Sequence, residues 1–206
     1  MAPLAKIAGC ATIVKNITAQ NFEVNEVTPM INKAIMVATQ AHENQKRKGT
    51  DIPYILHPME AAVIVSQIKY DPDLICSALL HDVVEDSNMS REDIAAMFNE
   101  KIADFVRFQS EDKSKSWKER KQHTIDELSK SEDDDKKIVC LADKLSNMRA
   151  TSRDYHALGD SLWNRFNVSD KKEQGWYYKA LCDSLASLKA YPAYQEFKAL
   201  VNEVFS

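Results

Sequence analysis

The sequence predicts an all-α protein, and three observations carry that prediction. Only 4 glycines and 6 prolines interrupt 206 residues. Apolar residues recur at i, i+3 and i+4 along most of the chain, the spacing of one helix face. No convincing pair of alternating strands, glycine-rich phosphate loop or internal repeat appears.

The elements follow in order. Residues 1–27 are hard to place, although Leu4, Ile7, Ala8, Ala11 and Val14 hint at a short helix. Thr28-Pro29 is a start signal, a hydroxyl cap followed by proline at the first helical position; Ile31, Ala34, Ile35, Ala38 and Ala41 then mark a helix to about Asn44. The basic stretch Lys46 to Asp51 reads as a loop, and Pro58 opens a helix carrying Ala61, Ala62, Val65 and Ile68. Asp71-Pro72 caps a strongly apolar helix through Leu74, Ile75, Ala78, Leu79 and Leu80. Ser90 with Asp93 forms a capping-box pattern ahead of Ile94–Phe98, and Ile102, Phe105 and Val106 mark a further helix. A charged connection over 110–121 leads into a helix from about Trp117 to Leu128. The acidic run Ser131–Asp135 suits a helix start, where carboxylates complement the dipole, and introduces a helix over Lys136–Arg149. Residues 152–170 read as irregular, followed by helices over Lys171–Ala190 and Pro192–Phe205.

The length suits one domain over 1–206, with a core at about 28–155 and C-terminal helices at about 170–206. Apolar content of 44% and charged content of 28% are those of a soluble globular protein. A net charge of −4 gives no global basis for binding nucleic acid or membrane, so a phosphate-bearing ligand would need local positive charge or metal. No run reaches the ~20 apolar residues of a membrane span, and Met1–Ile17 lacks the compact apolar block of a signal peptide. Cys10, Cys76, Cys140 and Cys182 never form C-x-x-C and read as buried, reduced thiols. The expectation is a cytoplasmic protein.

The stretch Leu74 to Asp86 concentrates the chemistry. A buried apolar run ends at once in His81, Asp82, Glu85 and Asp86, groups that border a core only when something compensates them, a divalent metal above all. The adjacent His81-Asp82 pair offers one nitrogen and one oxygen, a set suited to Mn, Fe, Co or Zn. A further ligand could come from His57, at a helix mouth, or from Asp143, inside the apolar run Val139-Cys140-Leu141-Ala142; the bland alternative for Asp143 is a salt bridge to Lys144 or another helix. Asn147 shares a helix face with Asp143, as Glu85 does with His81 and Asp86 with Asp82. Arg47 and Lys48 are either a solvated basic loop or anion contacts. Tyr54 and the aromatic run Trp176-Tyr177-Tyr178 are packing residues in their bland reading and ligand contacts in the other. His42, His123 and His156 read as ordinary surface or packing histidines.

In the order His57, His81-Asp82, Asp143 the sequence resembles the HD-domain metal-dependent phosphohydrolases. Four phrases narrow the resemblance to the hydrolase domain of the RelA/SpoT family and the small alarmone hydrolases: R-K-G-T-D-I-P-Y-I-L-H-P from Arg47, A-L-L-H-D-V-V-E-D from Ala78, W-K-E-R-K from Trp117 and L-A-D-K-L-S-N-M-R from Leu141. It covers about residues 30–155 and implies an HD-domain bundle of roughly 8 to 10 helices. By the resemblance, His57, His81, Asp82 and Asp143 match the metal ligands, usually of one Mn²⁺, with other divalent metals open. Glu85 and Asp86 match the acidic pair acting on the attacking water. Arg47, Lys48, Asn147 and Tyr54 match substrate-contacting positions. The implied activity is 3′-pyrophosphohydrolysis of (p)ppGpp to GDP or GTP and pyrophosphate. The alternatives are another HD phosphohydrolase, such as a nucleotidase or NADPH 2′-phosphatase, and a non-catalytic nucleotide-binding module. The implied partner is a small-molecule nucleotide, without nucleic acid or membrane; the oligomeric state stays open, a homodimer among the options. Asn99 departs from the family's frequent glycine, which implies a change in helix capping.

Overall fold

A computed structural model of the protein describes residues 27–206; the short helix expected within residues 1–27, and Cys10, lie outside the described residues. Helices α1 (Val27–Ala41), α2 (Leu56–Ile68), α3 (Pro72–Leu80) and α4 (Val83–Asp86) come first in the chain. They are followed by α5 (Arg91–Met97), α6 (Glu100–Gln109), α7 (Trp117–Lys130), α8 (Asp134–Leu158), α9 (Lys171–Ser184) and α10 (Pro192–Phe205). Short 3-10 turns occupy Gly159–Arg165 and Ala186–Leu188. Among the described residues no strand forms, and the one pairing of that kind is an isolated bridge between Lys46 and Pro53. The all-α expectation therefore holds.

The centre of the fold is α8. Ile138, Val139, Cys140, Leu141, Ala142, Leu145 and Met148 are all buried, so the segment 138–142 is apolar on every face, as a stretch enclosed by other helices must be. It packs against α2, α3, α6 and α10. The sequence reading ends this helix at Arg149 and leaves 152–170 irregular; instead it runs to Leu158. No glycine or proline interrupts it before Gly159, whose φ of 56° terminates the helix. The 3-10 turn that follows buries Leu162 and Trp163 under the same core. The next helix stops at Ser184, short of the expected Ala190.

Local chemistry fixes most helix starts. Ser90 and Asp93 form the expected capping box, and Ser116 with Glu119 forms a second. Asn99 caps α6 by accepting from Ile102 N–H at 2.8 Å, while its amide donates to Asp73 at 3.0 Å. Helix α2 begins at Leu56, two residues before Pro58. Proline is tolerated there because the first-turn N–H groups have no intrahelical acceptor, and His57 consequently lies inside the first turn and is buried. Cys76, Cys140 and Cys182 are free, buried thiols.

Asp71 caps α3 by accepting from Asp73 N–H at 2.9 Å and Leu74 N–H at 3.5 Å, and also pairs with Lys101 at 3.2 Å. Burial opposes its ionisation, but Lys101 and the capped N–H groups prevail and hold its carboxyl below the ordinary aspartate value. Asp71→Ala is expected to cost about 0.5–2 kcal/mol near neutral pH, read by chemical denaturation. A depressed folded value means that the Asp71 contribution is complete above the unfolded pKa and lost as pH falls through the folded one. The gap between wild type and variant is therefore expected to close below about pH 4; a gap that widens on acidification would contradict this account.

Candidate active site

Several parts of the fold converge on the middle of α8. The connection after α1 supplies Arg47, Lys48 and Tyr54, and the first turn of α2 supplies His57. The α3–α4 junction supplies His81 and Asp82, α4 supplies Glu85 and Asp86, and α8 supplies Asp143 and Asn147. At the junction α3 stops at Leu80, and Asp82 sits at φ −97°, ψ −5° before α4. In an unbroken helix, neighbouring side chains diverge by ~100°. The break turns both inward, so that His81 Nε2 lies 2.9 Å from Asp82 Oδ2.

One donor atom each from His57, His81 and Asp143 falls within 4.8 Å of the others. His57 Nε2 is 3.3 Å from Asp143 Oδ1 and 3.7 Å from Asp82 Oδ2, and His81 Nε2 is 3.7 Å from Asp143 Oδ1. The far nitrogens are engaged elsewhere: His81 Nδ1 meets the Ala78 carbonyl at 2.8 Å and His57 Nδ1 meets Ser146 Oγ at 2.8 Å. His81 Nε2, buried, has no aligned hydrogen-bond partner. Two imidazole nitrogens and two carboxylates around such an orphaned nitrogen form a donor set that fits a borderline divalent metal.

The electrostatics agree. Burial would strip the charge from His81, yet the Asp82 and Asp143 carboxylates override it and raise the imidazole to about 9. Burial likewise opposes ionisation of Asp143, and Lys144 and the histidines outweigh it, holding the carboxyl well below its usual range. The two carboxylates thus favour positive charge beside them at His81. Glu85 moves the other way: burial, then Asp82 and Glu111, raise its carboxyl.

Asp143 makes the ion pair to Lys144 of its bland reading and still turns its other oxygen toward the histidines. Its Oδ2 accepts from Lys144 at 2.6 Å, while Oδ1 faces the histidines and accepts from Asn147 Nδ2 at 2.6 Å. Arg47 donates to Asn147 Oδ1 at 2.7 Å, and its guanidinium lies 5.5 Å from the Tyr54 ring centre. The Tyr54 hydroxyl donates to Asp82 Oδ2 at 2.6 Å, and its ring packs on His42, which is buried and bonded to Gln45 at 2.7 Å. Gln45 also donates to the Asp86 carbonyl at 3.1 Å, and Lys113 to the Glu85 carbonyl at 2.6 Å, so α4 is tied on two sides. All ten residues singled out in the sequence thus stand in or beside one cavity of ≈ 720 Å³, although His81 is buried behind its wall.

Lys121, Lys144, Glu111 and Phe166 also line this cavity, and the sequence reading gave none of them a place in the site beyond the ion pair of Lys144 with Asp143. Lys121 belongs to the W-K-E-R-K phrase and Lys144 adjoins Asp143, so both carried a signal; Glu111 lay in a charged connection that carried none. Of the aromatic run, Tyr178 reaches the cavity, whereas Trp176 packs on Trp117 and Tyr177 is core. Of the remaining histidines, His123 is exposed and His156 pairs with Glu203. Gly49, at φ 71°, closes the basic loop against Arg165, where a Cβ would lie 2.5 Å from Arg165 Cδ.

Residues 34–166 match the family profile of the HD domain. A GTP pyrophosphokinase rsh of Brucella melitensis is 35% identical over 142 residues, 66% of this chain and 18% of its own length. A guanosine-3′,5′-bis(diphosphate) 3′-pyrophosphohydrolase of Vibrio cholerae is 31% identical over 136 residues, 64% of this chain and 19% of its own length. The chain therefore spans less than a fifth of these curated relatives. Among solved structures, lmo0812 from Listeria monocytogenes superposes with a TM-score of 0.67 at 31% identity, over 72% of this chain and 98% of that one. A metazoan ortholog of SpoT that hydrolyses ppGpp superposes with a TM-score of 0.65 at 27% identity, over 85% and 93%. No described helix is long and apolar enough to cross a membrane. With the profile spanning more than half of the chain, over the elements that assemble the histidine–aspartate cluster, this protein belongs to the HD-domain family.

Proposed function

We propose that this protein is a metal-dependent phosphohydrolase that cleaves the 3′-pyrophosphoryl group of (p)ppGpp, releasing GDP or GTP and pyrophosphate, with one Mn²⁺ as its ion. The observation that carries the reading is the cluster of His57, His81 and Asp143, within 4.8 Å of one another, beside a ≈ 720 Å³ cavity lined by both carboxylates and cations. The names of the Vibrio and metazoan relatives support the substrate. Cytoplasmic action is consistent with the free thiols Cys76, Cys140 and Cys182.

In this reading His57, His81, Asp82 and Asp143 hold the ion, which when bound acidifies water and polarises a phosphoryl oxygen. Glu85 and Asp86 orient the attacking water and take its proton. Glu85 suits this task because burial and Asp82 raise its carboxyl and make it a better base. Water adds to the phosphorus attached at the ribose 3′-oxygen, that P–O bond breaks, and the oxygen departs on the nucleoside with a proton. Arg47, Lys48, Lys121 and Lys144 line the same cavity and offset the charge of the phosphates, the arginine through a planar fork and the lysines as point charges. Asn147, held between Arg47 and Asp143, presents a polar edge to the ribose. Tyr54 keeps Asp82 oriented through its 2.6 Å hydrogen bond.

Pyrophosphate and GDP are expected from ppGpp with Mn²⁺, and Glu85→Gln/Asp86→Asn should lower kcat by about 10²–10⁴-fold with metal binding retained. Phosphate released from NADPH or a nucleoside monophosphate, with no pyrophosphate from ppGpp, would identify a different HD phosphohydrolase. Binding without turnover of any of these would make the chain a nucleotide-binding module.

Metal binding should also respond to pH. His81, raised to about 9, carries a proton near neutrality that a metal must displace. Apparent Mn²⁺ affinity is therefore expected to rise with pH up to about 9, approaching tenfold per unit, with proton release visible by calorimetry in buffers of different ionisation enthalpy. A pH-independent affinity over that range would contradict the assignment of His81.

A further inference from the structure

His57 and His81 face the cluster alike, but their far nitrogens are held by different means. The ring of His81 is set by the backbone, through the Ala78 carbonyl at 2.8 Å. The ring of His57 is set by side chains alone, in a relay that leads away from the cavity. His57 Nδ1 lies 2.8 Å from Ser146 Oγ, and Ser146 Oγ lies 2.7 Å from Glu60 Oε2. Arg149 donates to Glu60 Oε1 at 2.9 Å and, through Nε and Nη2, to both Glu196 oxygens at 2.6 and 2.7 Å. Ser146 is 2% exposed, so no solvent competes for its hydroxyl.

Proton counting gives the relay a direction. A serine hydroxyl has one proton, and a carboxylate oxygen only accepts. Ser146 therefore gives its proton to Glu60 and must accept from His57, which places the ring hydrogen on Nδ1. The neutral imidazole then carries its lone pair on Nε2, the atom 3.3 Å from Asp143 Oδ1 and 3.7 Å from Asp82 Oδ2. A lone pair aimed at carboxylate oxygens is repulsive unless a cation lies between them.

We propose that Ser146 and Glu60 are positioning residues that lock His57 in its Nδ1–H tautomer for metal ligation, and that Arg149 and Glu196 anchor this relay to the C-terminal helix α10. The inference rests on the reading of His57 as a metal ligand. It adds an element beyond the HD-profile match, since Glu196 lies outside residues 34–166. The cluster is thus tuned from α10, on which none of its donor atoms resides.

The test uses the full chain with two readouts, neither of which requires turnover: long-range ¹H–¹⁵N spectra of histidine-labelled, metal-free protein at pH 8, and Mn²⁺ titration by calorimetry. Wild-type His57 should show the Nδ1–H pattern. Ser146→Ala should lose that preference and weaken Mn²⁺ binding by about 10–100-fold. Glu60→Ala frees the serine proton to point at Nδ1, so the population should move toward the Nε2–H tautomer and affinity should fall. Glu196→Gln should weaken binding in the same direction by a smaller factor. Glu60, with a side chain 38% exposed, tolerates truncation and decides the matter even if Ser146→Ala fails to fold. A wild-type Nε2–H tautomer, or Glu60→Ala with unchanged tautomer and Mn²⁺ affinity, would overturn the relay. Spectra and affinities that move as expected in a chain inert toward ppGpp would leave the relay standing and remove the substrate assignment alone.

Discussion

A carboxylate in the middle of an apolar helix is the constraint on which the rest of this structure depends. Asp143 is 5% exposed and sits between Ala142 and Leu145, both fully buried. An ionised aspartate there would cost several kcal/mol if left alone, and the surrounding architecture is largely a set of answers to it. Lys144 takes one oxygen and Asn147 reaches the other from the next turn. Two histidines from different helices converge on the remaining side. Loss of any of these partners would leave the charge more exposed to the low dielectric of the core, so fold and site are not separable at this residue.

The geometry follows from what helices can and cannot do. Side chains next to one another on a helix diverge, whereas those three or four apart align. Asp143, Ser146 and Asn147 use the second rule on the unbroken rod of α8. His81 and Asp82 need the opposite, and obtain it from the interruption between α3 and α4. The cationic groups come from more varied backbone, Arg47 and Lys48 from the loop before α2 and Lys121 from α7. Rigid helices thus hold the charges that must stay within hydrogen-bond distance of one another, while Arg47 and Lys48 reach the cavity from a loop.

Much of this was legible from residue order. Caps at Asp71 and Ser90, and the proline opening the last helix at Pro192, marked helix starts because their chemistry is local, and His57, His81, Asp82 and Asp143 stood out because each is a polar group bordering an apolar run. What escaped depended on distant partners. The stretch past Arg149 carries many polar residues, so its periodicity is weak, and tertiary contacts with α10 and the 3-10 turn keep it helical to Leu158. The break at His81 leaves no glycine or proline in the sequence. Glu60, Glu196 and Ser146 look like ordinary polar helix residues until packing brings together partners 47 to 89 positions apart. Charge on a helix surface announces solubility first; only the fold reveals which charges face inward.

Gly49 shows how such a site limits its own drift. A side chain at this position is opposed twice, by a backbone with φ 71° and by the Arg165 stem lying where a Cβ would go. Arg165 is in turn tied to Asp154 at 2.9 Å. Replacement of the glycine therefore requires the Arg165 side chain to shift, and the loss of Arg165 uncovers a loop already committed to a left-handed turn. The two positions are coupled across 116 residues of sequence: a side chain at Gly49 must both adopt a left-handed backbone and displace the Arg165 stem. Descendants of this sequence should vary the basic loop around Gly49 more freely than at it, and its curvature should outlast much of its composition.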